Sequence, residues 1–582
     1  MSKYESLSHE EMRLKAELFS MAKAPRTDDG FGTAPSKPQH ISPSATKDRP
    51  IPAANPVAFS SGAPPAPRPK QPSTKPKNTR QANGTSDDAE LARYVTSLHL
   101  NDKQSSATAT IWPEEIKMTP LFTWPAKQAA RLSKVNFEQY AVLGHELPSA
   151  DRPSGTLHTP IFLNTNTPWS AFIYGSQGSG KSYTMSCMLE NCLLASSAIG
   201  RCPKPLAGML FHYDAHSTGA VCEAAYLATQ MPVRVLVSPS NFYKLKALYE
   251  NLPGLQGKIK VVPLLLKESQ LNTQRMLRLM AFSDKDGAVP LYMEVIIQIL
   301  RQMAMESAGR PGLNFAEFQM RLETEEFAKM QQGPMKLRLS LLEGFLDSGY
   351  FARRLRVKGE GLVPQAGALT IVDLSDPSVD PASACVLFDI CLALFLEDQS
   401  GIGKVIALDE AHKFMNGTAA SEVFTQSLLT VIREQRHKGA RVIIATQEPT
   451  ISPKLLDLCS MTFVHRFTSP EWLETLKKHL AAASSSAGNN RQDVEALFRE
   501  IVQLNVGESL LFSPTAMLDV TSGKDDGTPG VIEKLGLAKV HFKTRPRLTM
   551  DGGRSVEAVA GGSDGTDDSE SYGSVGSESE SD

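Results

Sequence analysis

Between Ala171 and Ser182 the chain reads AFIYGSQGSGKS, an apolar run followed by Gly175, four further residues, and Gly180-Lys181-Ser182. That spacing, G-x-x-x-x-G-K-[ST], has the residue types needed to hold a triphosphate. Several backbone N–H groups must approach the anion closely, and glycines let the backbone curl around it. Lys181 then brings a point charge to the β and γ phosphates, the Ser182 hydroxyl is placed for Mg²⁺, and the following helix aims its positive end at the anion. The candidate nucleotide contacts are Gly175, Ser176, Gln177, Gly178, Ser179, Gly180, Lys181, Ser182 and Tyr183, with ATP and Mg²⁺ as the ligands.

Such a loop needs a strand before it and a helix after it. The apolar run supplies the strand, and Met185, Met188, Leu189, Cys192 and Leu193 recur with the spacing of an amphipathic helix. From 159 to 548 short apolar strands alternate with helical stretches, the pattern of a mostly parallel α/β sheet with helices on both faces. Strands are predicted at 171–174, 206–213, 233–237, 259–266, 369–374, 405–408, 442–446, 461–467 and 509–512, interrupted by a mostly helical insertion at about 267–361.

Ligands of these sheets sit beyond the carboxyl ends of the strands. At one such end, KVIALDEAHKF runs from apolar residues directly into Asp409 and Glu410. Asp409 is assigned to the Mg²⁺ shell opposite Ser182, and Glu410 to the general base that polarises an attacking water. At the next exit, RVIIATQEP, Gln447 is placed to orient that water or sense the γ phosphate. Upstream of it, Arg433 and Arg436 close a helix ahead of Gly439. Cations there offset the helix dipole, and the alternative is an arginine reaching a γ phosphate of its own or a neighbouring subunit. Asp214, Asp373 and Asp376 read as loop-anchoring carboxylates.

The ends differ from the middle. Residues 1–23 carry a capping box, Ser8 and Glu11, at the head of a short amphipathic helix, read either as a helix that docks on a protein partner or as a transient, unpartnered one. Residues 24–110 are basic and rich in Pro and Ser, 111–158 read as a lead-in helix and linker, and 549–582 are acidic, Ser- and Gly-rich. The compositions of 24–110 and 549–582 predict disordered N- and C-terminal tails. Their opposite charges nearly cancel in the formal net charge of −2, which therefore says nothing about partners. The seven cysteines contain no C-x-x-C pair and mostly lie in apolar segments, so neither a disulfide framework nor a zinc site is expected. His212, His216 and Cys222 have metal-like spacing but flank a strand end, and read as ordinary strand-end residues. The longest apolar run, Ala384–Leu396, is too short to span a bilayer and contains Asp389. An intracellular protein without a membrane anchor, cytoplasmic or nuclear, is expected.

Taken in order, GSQGSGKS, VIALDEAHKF, IREQRHKGARVIIATQEP and MTFVHRF resemble the HerA/FtsK division of P-loop ATPases, and the chain is similar to an uncharacterised P-loop ATPase family of filamentous fungi. The resemblance covers about 159–548 and implies a RecA/HerA-like P-loop NTPase fold. It also implies Mg-ATP hydrolysis with Asp409 and Glu410 as metal holder and base, Gln447 as sensor, and a homo-oligomeric ring with sites between subunits. Its usual substrate is nucleic acid. No barrel-like clamp of the HerA kind is read before residue 159. Two functions follow as expectations: an ATP hydrolase that translocates or remodels a partner, or a nucleotide-gated interaction protein with little hydrolysis. Transfer to a small molecule fits less well, because the acidic pair suits water activation.

Overall fold

The strands that carry the site are apolar along their whole length because both faces of the sheet are covered. In the computed structural model, which describes residues 111–148, 159–215, 221–280, 291–307, 312–327, 329–480, 483, 491–521 and 531–552, they are β4 (Ser170–Tyr174), β6 (Ala207–His212), β10 (Lys404–Leu408) and β11 (Ala440–Thr446), every residue buried. Numbering counts β1 (Leu121–Thr123), β2 (Tyr140–Glu146), β3 (Pro160–Leu163), β5 (Gly200–Arg201), β7 (Val233–Val237), β8 (Ile259–Pro263), β9 (Leu369–Asp373), β12 (Met461–Val464), β13 (Glu508–Phe512), β14 (Asp519–Thr521), β15 (Val531–Glu533) and β16 (Val540–Thr544). The described residues fall within one compact unit, Gln104–Asp582. The helix expected at 1–23, the leader 24–110, His216 and residues 553–582 of the tail expected at 549–582 lie outside the described residues, while residues 549–552 are described and Thr549 is buried rather than part of a disordered tail.

The main sheet runs β1-β3-β2-β16-β13-β12-β4-β11-β10-β6-β9-β7-β8. From β12 to β8 all neighbours are parallel, whereas β13, β16, β2, β3 and β1 continue it antiparallel. This is the expected mostly parallel α/β sheet with helices on both faces, with two differences. The segment expected as a lead-in helix and linker contributes β1 and β2 to the same sheet. In addition β16, between β13 and β2, carries the chain back beside the loop that follows β4.

Side chains alternate between two cores. Phe172, Tyr174, Met209, Phe211, Ile406, Leu408, Val442 and Ile444 face one, and Ala171, Ile173, Leu210, Val405, Ala407, Ile443 and Ala445 face the other. Helices Pro381–Glu397 and Ala419–Arg433 cover the first face, and helix Lys181–Leu193 covers the second. The insertion supplies helices Thr273–Met280, Leu291–Glu306, Phe315–Glu323 and Lys329–Gly344, which join the first core, and Tyr350–Leu355, whose Leu355 packs against the second. It docks on helix Pro381–Glu397 through ion pairs of Arg278 with Asp389 and Arg275 with Glu397. The charge inside the longest apolar run is thus a docking partner. No helix of the described residues is long and apolar enough to cross a membrane.

Helix Lys181–Leu193 departs from the amphipathic reading, since Thr184 to Leu193 are all buried. Residues Thr544–Asp551, just after β16, form a strap over its outer face. Glu190 accepts from Thr549 N at 2.9 Å, Thr549 Oγ1 at 2.6 Å and Leu548 N at 3.1 Å, and pairs with Arg545 Nη1 at 2.8 Å. Arg545 also donates to Asn191 Oδ1 at 2.8 Å and Val142 O at 2.8 Å.

Candidate functional site

The loop Gly175–Ser182 leaves the carboxyl end of β4 and turns into helix Lys181–Leu193. Gly178 (φ +72°) and Gly180 (φ +105°) take left-handed conformations that a side chain resists. A Cβ on Gly180 would lie 2.8 Å from Gly507 N, so the loop is also closed sterically. Its base is held by main chain: Ser176 N donates to Arg466 O at 2.9 Å, Gly507 N to Ser179 O at 3.1 Å, and His465 N to Tyr174 O at 2.8 Å. Gln177 and Gly178 form an exposed tip.

Lys181 is buried, and its Nζ donates to Ser176 O at 3.0 Å. Burial holds this ammonium below the usual lysine range, against the pull of the Glu410 and Asp409 carboxylates. The loop lysine and the acidic pair therefore share one electrostatic neighbourhood, which their strands explain. β11 lies between β4 and β10, with Thr446 level with Tyr174 and Ile444 level with Leu408. Ser182 is half-buried in the first turn of the helix.

Glu410 follows Asp409 at the end of β10 with φ +50° and ψ +44°. A left-handed non-glycine residue costs about 1 kcal/mol, and here the turn redirects the carboxylate. Gln447 Nε2 donates to Glu410 Oε2 at 2.9 Å, so these two sequence-predicted residues meet. His412, which sequence reading passed over, completes the group. Its Nδ1 accepts from Gln447 N at 3.4 Å and lies 3.5 Å from Glu410 Oε2. Burial holds its pKa below the usual histidine range, keeping the ring neutral beside the carboxylate.

Asp409 is 4% exposed. Burial pushes its carboxyl up, but His212 and the charges of Lys181 and Lys413 outweigh that, leaving it below the ordinary aspartate range. Its Oδ1 is buried without a hydrogen-bond partner. Asp214 pairs with Lys413 at 2.7 Å. Asp373 accepts from Tyr249 Oη at 2.5 Å and Ser375 N at 2.9 Å, and Asp376 from Ser238 Oγ at 2.6 Å. These three are the loop anchors expected of them.

Arg433 and Arg436 require a correction. Their helix returns from the site end of β10 to the start of β11, and both residues are exposed just before Ala440, which pairs with Lys404 at the beginning of β10. The seven residues of β11, about 20 Å of strand, separate that edge from the loop. Neither arginine reaches a phosphate bound by its own chain. Gly439 closes the helix end with φ +57°, as the capping reading has it. Tyr183 also differs: its hydroxyl accepts from Arg547 N at 2.9 Å, so its side chain serves the strap.

His465 was read only as part of a motif, yet it lies under the loop. It is fully buried, 3.2 Å from Thr184 Oγ1, which in turn meets Thr544 Oγ1 at 2.9 Å. Burial, reinforced by Lys181, drives its pKa down to about 3.

No family model matches this chain, and no curated protein is similar to it. Solved structures are. VirB4 of Thermoanaerobacter pseudethanolicus is 12% identical over 70% of this chain and 97% of its own, with a TM-score of 0.40. The bacterial conjugative coupling protein TrwB, lacking its first 70 residues, is 12% identical over 71% and 96%, with a TM-score of 0.36. The genome packaging NTPase B204 of Sulfolobus turreted icosahedral virus 2, in complex with ATP-gammaS, is 16% identical over 25% and 61%, with a TM-score of 0.18.

Proposed function

We propose that this protein is an Mg-ATP hydrolase of the P-loop class that couples turnover to moving or remodelling a macromolecular partner, nucleic acid being the first candidate. The observation that carries the reading is the convergence of a buried loop lysine, Lys181, with Asp409 and a Glu410 turned by a left-handed backbone and tied to Gln447. The loop amides and Lys181 would bind the phosphates. Asp409 and the Ser182 hydroxyl fit a hard cation, and the unpartnered Asp409 Oδ1 is the kind of buried oxygen such an ion satisfies. Bound there, Mg²⁺ would neutralise charge developing on the transferred phosphoryl oxygens.

The chain's own groups divide the remaining work. Glu410 Oε2, beside a neutral His412, takes a proton from the attacking water, and Gln447 Nε2 holds the carboxylate and water in line. Lys181, itself buried, balances the γ-phosphate charge. Arg433 and Arg436 meet a phosphate only on a second copy of the chain, which ties any finger role to a ring.

An ATPase assay with and without DNA, paired with light-scattering mass, tests the coupling. The reading expects DNA to stimulate turnover and the mass to be a multiple of the 63.3 kDa chain. Unstimulated turnover by a monomer in every nucleotide state would refute the nucleic-acid motor.

A further inference from the structure

Two residues from other parts of the chain converge on Asp409. His212 ends β6, the neighbour of β10, and Cys222 begins the segment leading to the turn Glu223–Thr229. His212 Nδ1 lies 3.3 Å from Asp409 Oδ2, and Cys222 Sγ lies 3.9 Å from the same oxygen. The three ligand atoms all fall within 4.8 Å of one another. His212, Cys222 and Asp409 are 7%, 0% and 4% exposed. Hydrogen bonding accounts for the arrangement only in part: Cys222 Sγ donates a weak bond to Asp409 Oδ2 and His212 Nδ1 lies within ion-pair distance of that oxygen, while His212 Nδ1 and Asp409 Oδ1 are both buried without a partner that meets hydrogen-bond geometry. Buried, unsatisfied nitrogen and oxygen beside a thiol are costly unless something binds them.

We propose that His212, Cys222 and Asp409 form a binding site for a thiophilic divalent cation of the Zn²⁺ class, distinct from the Mg²⁺ position and sharing Asp409 with it. The donor set carries the choice of ion. One nitrogen, one sulfur and one oxygen suit Zn²⁺, whereas Mg²⁺ takes oxygen ligands in an octahedron. With Zn–N and Zn–O near 2.1 Å and Zn–S near 2.3 Å, a tetrahedral ion separates N from O by about 3.4 Å and S from O by about 3.6 Å. The observed 3.3 Å and 3.9 Å need only a small closure around the ion. Three protein ligands leave a fourth position for water, the pattern of an open site. Because Asp409 Oδ2 belongs to this trio, Zn²⁺ draws the carboxylate toward Cys222 and away from Ser182. The ion therefore inhibits ATP turnover without competing for the phosphate loop. This inhibitory consequence rests on the role proposed for Asp409 above, while the binding itself does not.

The test uses the full chain without nucleotide, kept reduced with a phosphine, and Co²⁺ as the spectroscopic stand-in for Zn²⁺. Titration is expected to produce a thiolate-to-cobalt charge-transfer band that Zn²⁺ abolishes. The band is expected to persist in Cys459→Ala and to vanish in Cys222→Ala and Cys222→Ser, with Zn²⁺ affinity falling at least about tenfold. Far-ultraviolet circular dichroism verifies that each variant is folded. If Cys222→Ala unfolds, Cys222→Ser, which keeps a small polar side chain, decides. No band in the wild type, or an equal band in the folded Cys222 variant, overturns the site. Zn²⁺ inhibition of ATPase that is relieved in Cys222→Ala supports the coupling to Asp409. A wild type that binds Co²⁺ through Cys222 but never hydrolyses ATP would sink the proposed hydrolase and leave the metal site standing.

Discussion

Replacing Glu190 by Ala removes the anchor of the strap over the loop helix, and the structure sets the scale of the loss. Glu190 has no exposed side-chain surface, and its partner Arg545 is 8% exposed. The substitution leaves that guanidinium buried without its carboxylate, a penalty of about 3–5 kcal/mol. It also strips Leu548 N and Thr549 N of their acceptor, at roughly 1 kcal/mol or more each if they stay buried. A domain's whole stability is about 5–15 kcal/mol, so the strap is expected to detach before the sheet unfolds. Limited trypsin digestion reads this directly: the Arg547–Leu548 bond becomes cleavable in Glu190→Ala under conditions that spare the wild type. Urea unfolding followed by circular dichroism supplies the energy. The double variant Glu190→Met with Arg545→Met removes both charges and is expected to recover most of the loss. Equal protection of the Arg547–Leu548 bond in wild type and Glu190→Ala, with a stability change under about 1 kcal/mol, would refute the strap's role.

Three further outcomes follow. Gly180→Ala combines a left-handed φ of +105° with a Cβ 2.8 Å from Gly507 N, and is expected to abolish ATP binding in a fluorescent-nucleotide titration while circular dichroism stays near wild type. His465 has a folded pKa of about 3 against about 6.5 unfolded, so the unfolded chain binds the extra proton between those values; the stability it contributes is complete above pH 6.5 and is lost as pH falls. Between pH 7.5 and pH 5 the wild type should therefore lose about 2 kcal/mol more than His465→Gln, and parallel pH slopes in urea unfolding would contradict this. Arg433→Ala and Arg436→Ala, on the far edge of the sheet, should leave the nucleotide affinity of the dilute chain unchanged, and a loss of about tenfold, 1.4 kcal/mol, in either would contradict their placement.

The sequence exposed what local chemistry determines. β4, β6, β10 and β11 stand out because burial on both faces makes each a continuous apolar run, and polar residues follow their exits: the loop to Lys181 after β4, Asp409 and Glu410 after β10, and Gln447 after β11. β2 and β16 escaped because half-buried and buried positions mix along them, and β1 has only three residues. Nothing near Glu190 announces that its partner comes from Arg545, on a strap that also donates to Asn191 from 354 positions later. That is why helix Lys181–Leu193 reads as amphipathic in the sequence although Thr184 to Leu193 are all buried. His212 and Cys222 passed as strand-end residues for the same reason, since the oxygen that joins them belongs to Asp409, 187 positions beyond Cys222. His412 carried a usable signal, a titratable ring two residues beyond the candidate base.

Parallel ATP-binding and single-turnover measurements on wild type, Glu410→Gln and Lys181→Ala test the shared phosphate and water-activating site most directly. Glu410→Gln is predicted to bind ATP normally while turnover falls by about 10²–10⁴-fold, and Lys181→Ala to lose both binding and turnover. ATP hydrolysed by Glu410→Gln at the wild-type rate would contradict it.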